Sequence, residues 1–421
     1  MRSDACSLSS RTQAIRDVPL IIAAFATASA LVPIHPSMQL LWIEAGVPSV
    51  IGVVLFFLPT FIFFSLRPVF SRYELGVIAP FFVYAAWMLM TSLYSPAIGM
   101  PNWWNSVRSL SLIVPMMVWA ACIAARNIGA AARIVIGCGV VAVTHYGCLW
   151  VFGAAAGGEA GGFGAIAVID GIPNYQATAF FIGIAGVWAL SLVNYQRKYL
   201  FWGLVVLVVS VSLMATAGAR SSLVGLAGVT AVLLGATRLK RLMLFAILIL
   251  VAGFASFAIL LYLNNDTFGG DAFQGVLVVE RFMVLSEEGD SSHRLRLFTS
   301  ALGMWLDSPV SLLVGGGLAA YPYFTGQFDE AGWYPHNFIL ESLAEGGLVA
   351  ALPLAAIAFR LLNGFSRDIQ LNFDAFFLRN FALYSCFAYM FMGGVESVWI
   401  PFFALCLYFF SGQALGRSAS S

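Results

Sequence analysis

Apolar runs long enough to cross a bilayer recur from near residue 15 to near residue 413, and this recurrence limits the fold more than any motif does. A helix needs about 20 mainly apolar residues to cross roughly 30 Å of hydrocarbon, and runs of that length select helices over a barrel. With 61% hydrophobic and 10% charged residues over 421 positions, and a mean hydropathy of +0.90, a soluble domain is excluded. The expected class is an all-α polytopic membrane protein of about 12 transmembrane helices. Spans are placed at about 16–34, 47–66, 75–93, 107–125, 132–153, 173–193, 199–217, 221–237, 242–263, 337–361, 375–392 and 396–413. The chain thus divides into residues 1–263 with nine spans, a large outward loop at 264–335, and residues 336–421 with three more.

Net charge is +1, so the positions of the charges carry the information. With the N-terminus inside, Arg2, Arg11, Arg16, Arg67, Arg72, Arg126, Arg133, Arg197, Lys198, Arg238, Lys240, Arg241, Arg360, Arg367, Arg379 and Arg417 fall in alternate loops, sixteen of the 21 cations. The positive-inside rule makes that face cytoplasmic and puts both termini there. No clear small-residue cleavage site precedes Pro33 and His35, so the first span is expected to be retained. Arg108, Arg220, Arg281, Arg294 and Arg296 remain on the outer side, with most of the acids.

The outward segment 264–335 is long but not of low complexity. Within Arg294 to Leu306, the residues Leu295, Phe298, Leu302, Trp305 and Leu306 recur at helical spacing. They predict an amphipathic helix lying on the membrane surface or on the bundle, stopped by Asp307, Ser308 and Pro309. Gly315-Gly316-Gly317 then allows a tight reversal, and Tyr321, Tyr323, Trp333 and Tyr334 read as an interfacial aromatic belt or as sugar-stacking rings. A second outward loop at 154–172 is rich in glycine and alanine, and Trp103 and Trp104 sit in a third.

Chemistry concentrates where Tyr334-Pro335-His336-Asn337 leads into an apolar helix. A proline at or next to the first helical position marks a helix start. His336 then sits at a helix mouth, where free N–H groups and the dipole favour an anion and disfavour a second proton on the imidazole. A neutral histidine beside an anion site suits a general base. The plainer reading is that His336 only caps the helix. Asn337, Glu341 and Glu345 are spaced by four and share a face, although helix geometry puts Glu341 on a different face from His336. Glu345 would lie about 13 Å down the helix, where a carboxylate is functional or paired by default, and Gly346-Gly347 would admit a neighbouring helix.

Outward arginines run against the charge rule. Arg220 lies in a very short turn between two apolar spans, and Arg294 opens the amphipathic helix with Arg296 close behind. Guanidinium groups bind phosphate oxygens bidentately, so two of these facing one helix mouth make a diphosphate clamp; otherwise they snorkel or are solvated. His145, near the middle of the fifth span, reads as a polar contact inside the bundle. The acids Asp266, Asp271, Glu287, Glu288 and Asp290 read as a solvated face, and no divalent site is spaced out in the sequence. The six cysteines show neither metal nor redox spacing.

Three stretches together resemble the bacterial O-antigen ligase and O-antigen polymerase superfamily. These are Thr216-Ala217-Gly218-Ala219-Arg220-Ser221-Ser222-Leu223, then Ser291-Ser292-His293-Arg294-Leu295-Arg296-Leu297-Phe298 followed by Gly315-Gly316-Gly317, and His336-Asn337 followed by Gly347. The resemblance spans about 170–410. It implies a GT-C-like bundle in the inner membrane and a metal-independent, cofactor-free glycosyl transfer at the periplasmic face. It also implies that Arg220 and Arg294, with Arg296 beside them, hold the diphosphate of an undecaprenyl-diphosphate-linked glycan, and that His336 assists deprotonation of the acceptor hydroxyl. Asn337, Glu341 and Glu345 would support the site. His293, Phe298 and Ala350 depart from the family's usual residues. The acceptor, lipid A core for a ligase or a second lipid-linked glycan for a polymerase, stays open with a slight lean to ligase. The bilayer is the other partner, and no nucleic acid is expected. A secondary transporter is the remaining class, but carriers usually show two related halves and polar residues at the midplane.

Overall fold

Helix boundaries follow from local chain chemistry, and the computed structural model describes residues 20–35, 38, 72–151, 168–169, 172–173, 175–217, 220–236, 291–327, 334–365 and 372–418. The first helix, α1 (Leu20–Leu31), ends in a 3-10 turn at Val32–Ile34, and α2 (Arg72–Thr91) ends in another at Ser92–Tyr94. Next, α3 (Pro101–Arg108) opens on a proline, where a missing N–H costs nothing, and continues through a π turn at Ser109–Ile113 into α4 (Val114–Ala124). After a 3-10 turn at Ala125–Asn127 come α5 (Ile128–Val151), α6 (Tyr175–Tyr195), α7 (Leu200–Thr216) and α8 (Arg220–Ala236). Then follow α9 (Ser291–Leu306), α10 (Pro309–Val314), α11 (Ala320–Thr325), α12 (Phe338–Phe365), α13 (Phe373–Met392) and, past a 3-10 turn at Val395–Ser397, α14 (Trp399–Ser418). The described strands are β1 (Val168–Ile169) and β2 (Ile172–Pro173), an antiparallel pair in the glycine-rich segment.

Five described segments are long and apolar enough to cross a membrane: Glu74–Tyr94, Pro101–Cys148, Gln176–Tyr195, Phe338–Asn363 and Phe373–Met392. The second has 48 residues, about 72 Å as straight helix, more than twice the hydrocarbon thickness. The 3-10 turn at Ala125–Asn127 interrupts it and separates α4 from α5. Every expected span on described residues coincides with an apolar helix, whereas 47–66 and 242–263 lie outside them. The last span starts at Trp399 rather than 396, because Glu396 is in the preceding turn.

The core is aromatic and closely packed, with α13 set against α6, α8 and α14. Phe180 stacks on Tyr384 at 5.2 Å, and Phe81 meets Phe402 edge-on at 4.8 Å. Asn380 Nδ2 donates to Ser191 Oγ at 3.0 Å, a polar pair inside the bundle. His35 is buried, with Nε2 3.0 Å from the Cys138 carbonyl, and the cysteines of the described residues are free thiols.

Polar groups separate the bundle into two ends. At one, Arg126 Nη2 lies 3.9 Å from Glu74 Oε1, and Arg360 Nη1 donates to the Gly76 carbonyl at 2.6 Å. At the other end, Tyr94 Oη donates to the Val314 carbonyl at 2.5 Å and Ser95 Oγ to that of Leu318 at 2.6 Å. Helix α12 packs on α2 between these ends, with Tyr84 Oη and Ser342 Oγ 2.6 Å apart.

The segment expected as one outward loop is largely helical where it is described, as α9, α10 and α11; 264–290 and 328–333 lie outside the described residues. The amphipathic helix forms, but its buried face is not the expected row. Leu297, Ala301 and Met304 pack on Ala320, Tyr321 and Ala344, while Leu302 and Leu306 are exposed. The helix carries two apolar rows, and the surface of α12 selects between them. The belt reading likewise fails for Tyr321, which is fully buried.

Candidate active site

His336 lies outside the helix, two residues before its first turn, with backbone φ of +53°. Bulky residues rarely adopt that left-handed region, and such outliers cluster at functional sites. Pro335 is therefore not the first helical residue, and the face argument that separated His336 from Glu341 does not apply, since His336 is not on the helix. Asn337 is the cap: its Oδ1 accepts from Ile339 N at 3.0 Å and Leu340 N at 3.1 Å. The His336 ring packs against Tyr334 with centroids 4.4 Å apart.

Helix α12 breaks at Gly347, whose φ of +65° and ψ of −164° are open essentially to glycine alone. The break takes the carbonyls of Ala344, Glu345 and Gly346 out of the helical ladder, and each finds a donor elsewhere. Gly316 N donates to Ala344 O at 2.9 Å, Gly317 N to Glu345 O at 3.0 Å, and Trp87 Nε1 to Gly346 O at 2.7 Å. The triple-glycine segment, with φ of +77° at Gly315 and +105° at Gly317, is thereby laced to the deep part of α12. The expectation for Gly346-Gly347 holds: Gly346 admits α2 through Met88 and Trp87, and Gly347 admits the C-terminal end of α10 at Leu313 and Val314.

Beside Tyr334, the ring against His336, lies a small cavity with room for about one water, lined by Asn102, Ser106, Ala319, Pro322, Tyr334, Glu341, Glu345 and Glu396. Glu341 and Glu345 do share a face, and both are buried, 4% and 0% exposed. Glu341 Oε2 accepts from Val395 N at 3.1 Å, and Glu345 Oε1 from Tyr321 N at 3.4 Å. Burial pushes the Tyr321 phenol up to about 12, with the Glu341 carboxyl adding to the effect, and its hydroxyl donates to Leu297 O at 3.0 Å. Glu396 was not singled out by the sequence reasoning. An acid at the boundary between two spans, in Gly393-Gly394-Val395-Glu396-Ser397, is the signal that could have found it. Burial holds its carboxyl above the ordinary value, and the Arg108 guanidinium pulls the other way.

Arg220 is the first residue of α8, and α8 begins close to this cavity. Ser221 Oγ lies 3.4 Å from Met392 Sδ, and the Met392 carbonyl accepts from Tyr334 Oη at 3.4 Å. Tyr334 is the ring against His336, so the start of α8 is three contacts from the histidine. Arg294 is in the first turn of α9, and Arg296, two residues further on, is exposed. His145 is half-buried on α5, away from the cavity lining.

Residues 205–355 match the family model described as O-Antigen ligase. No curated protein and no solved structure matches the chain. The matched stretch holds the arginine turn, the start of α9, the glycine strap and the His336 mouth together. Over that stretch this multi-pass membrane protein is similar to the O-antigen ligase family.

Proposed function

We propose that the chain transfers a glycan from undecaprenyl diphosphate to a lipid A core acceptor at the periplasmic face of the inner membrane. The observation that carries this reading is His336: a left-handed histidine directly before the Asn337 cap of a helix, inside the stretch that matches the ligase family. His336 takes the proton of the acceptor hydroxyl as its oxygen attacks the anomeric carbon. The bond from that carbon to the diphosphate breaks, and the diphosphate leaves with the electron pair. Arg220 and Arg294, with Arg296 nearby, hold its charge. Asn337 fixes the backbone beside the base, and Glu341 and Glu345 hold the first turns of α12 to the neighbouring segments. The end of the bundle with Arg126 and Arg360 is the cytoplasmic one in this reading, with both termini on that side.

With a second lipid-linked glycan as acceptor the same step is polymerisation. Purified protein in nanodiscs, given undecaprenyl-diphosphate glycan and either lipid A core or a second lipid-linked repeat, separates the two. His336→Ala should lower turnover by about 10²–10⁴-fold without lowering the melting temperature, and Arg220→Ala should weaken donor binding. Wild-type turnover in a folded His336→Ala protein would exclude the histidine as the base.

A further inference from the structure

Between Arg296 and the end of α11 the outward segment carries a single charged side chain, Asp307. Where α9 turns into α10, Leu306, Val310 and Leu313 are 61%, 67% and 53% exposed, with Leu302 open beside them. Apolar side chains scattered singly over a surface need no explanation, but these continue the exposed apolar face of two spans. Met90 and Leu93 lie open near the end of α2, and Leu348 and Leu352 on α12. The areas are joined where Tyr94 Oη donates to Val314 O and where the Leu313 carbonyl packs on Gly347.

Helix rise gives the depth of that junction. Arg360 meets Gly76 at one end of the bundle. From Arg360 to Gly347, α12 rises about 20 Å, and from Gly76 to Tyr94, α2 rises about 27 Å. Hydrocarbon is roughly 30 Å thick, so Tyr94 is near the far boundary and Gly347 is about 10 Å inside it. Trp87, about 17 Å along α2 from Gly76, donates to Gly346 O and puts both helices on one scale. The end of α10 touches both Tyr94 and Gly347, and is therefore below the boundary. Backbone at that depth must find its partners in protein. Trp305 Nε1 donates to Leu312 O, Tyr94 Oη to Val314 O and Ser95 Oγ to Leu318 O, while Gly316 N and Gly317 N donate to carbonyls of α12. Ser308 and Ser311 close the start of α10 on each other.

We infer that the α9–α10 elbow is a re-entrant membrane anchor, seated in the leaflet opposite the Arg126 and Arg360 end, with Leu306, Val310 and Leu313 among acyl chains. Asp307 stays at the headgroups, because a carboxylate is costly in hydrocarbon. The occupant of this face is lipid, and no step of the proposed transfer enters the assignment. The same elbow leads into the glycine strap, so lipid holds the strap against α12.

The full chain is spin-labelled through a keto amino acid, which leaves the native cysteines untouched, and reconstituted in nanodiscs of phosphatidylethanolamine and phosphatidylglycerol. One label at a time replaces Val310, Leu313, the exposed Arg296 as the aqueous reference, or Leu352 on α12 as the lipid reference. Collision rates are read with oxygen, which concentrates among acyl chains, and with a water-soluble nickel chelate. Labels at Val310 and Leu313 should follow Leu352, with nickel collisions several-fold below those at Arg296 and oxygen collisions several-fold above. Leu306 is equally exposed and takes the place of either site whose label prevents folding. Nickel access like that at Arg296, in folded protein, would overturn the anchor. Shielding from both reagents would overturn it too, because a second copy of the chain or another protein would then cover the face.

Discussion

Replacing Gly347 by alanine should be among the most damaging single-methyl changes this chain can suffer. The backbone there, φ of +65° and ψ of −164°, costs a residue with a side chain about 1–3 kcal/mol. The new Cβ would also press on the Leu313 carbonyl and the Val314 amide at the end of α10. Relief requires α10 and the strap to move, and the strap carries the donors for Ala344 O and Glu345 O. Each such bond contributes about 0.5–1.5 kcal/mol net, so the total loss is about 2–6 kcal/mol, against a usual domain stability of about 5–15 kcal/mol. If α12 instead straightens to recover its own ladder, Gly316 and Gly317 lose their acceptors and the Ala319 wall of the cavity shifts. Either route should lower both the melting temperature in detergent and the rate of glycan transfer. Gly315→Ala, whose Cβ would strike the Glu345 carbonyl, should be non-additive with Gly347→Ala, since both release the same strap. Gly303→Ala on the exposed side of α9, where a Cβ meets nothing within 4 Å, is the control and should be neutral or stabilising by up to about 1 kcal/mol. A Gly347→Ala protein that melts and turns over like the wild type would refute the account of the break.

Two further outcomes follow from the same geometry. Asn337→Ala should cost about 1 kcal/mol by removing the cap from Ile339 N and Leu340 N, and should slow transfer by freeing the backbone at His336. Asn337→Asp should restore both, and a stable, fully active alanine variant would argue against the cap. For Glu396, burial raises the carboxyl in the folded state, whereas the unfolded chain ionises near the ordinary value of about 4.3. Its contribution is therefore complete below that value and is lost as pH rises through the raised one. Thermal unfolding followed across that range should show the wild type losing stability relative to Glu396→Gln as pH increases; parallel curves for the two proteins would contradict the burial effect.

The helices were legible in the chain because bilayer crossing is a local matter: length and hydropathy within one run decide it. The ends of α9 at Asp307 and Ser308 and the start of α12 near Asn337 were legible for the same reason, since proline, serine and asparagine act on their own turn. Local pattern was not enough where two answers were equally apolar. On α9 the buried row is Leu297, Ala301 and Met304 because α12 and Tyr321 are what it meets.

By itself the sequence determined that this is a helical membrane protein, that its histidine motif stands at a helix start, and that three stretches resembling the motifs of one ligase family follow in order. Only the tertiary structure decided that Glu396 joins Glu341 and Glu345 around one cavity, and that Gly316, Gly317 and Trp87 satisfy the carbonyls freed at Gly347. The physical reason is range. A span or a cap is settled by neighbours within a turn or two, whereas a buried carboxylate or an orphaned carbonyl must be met by segments some 30 to 260 residues away, which no local pattern encodes.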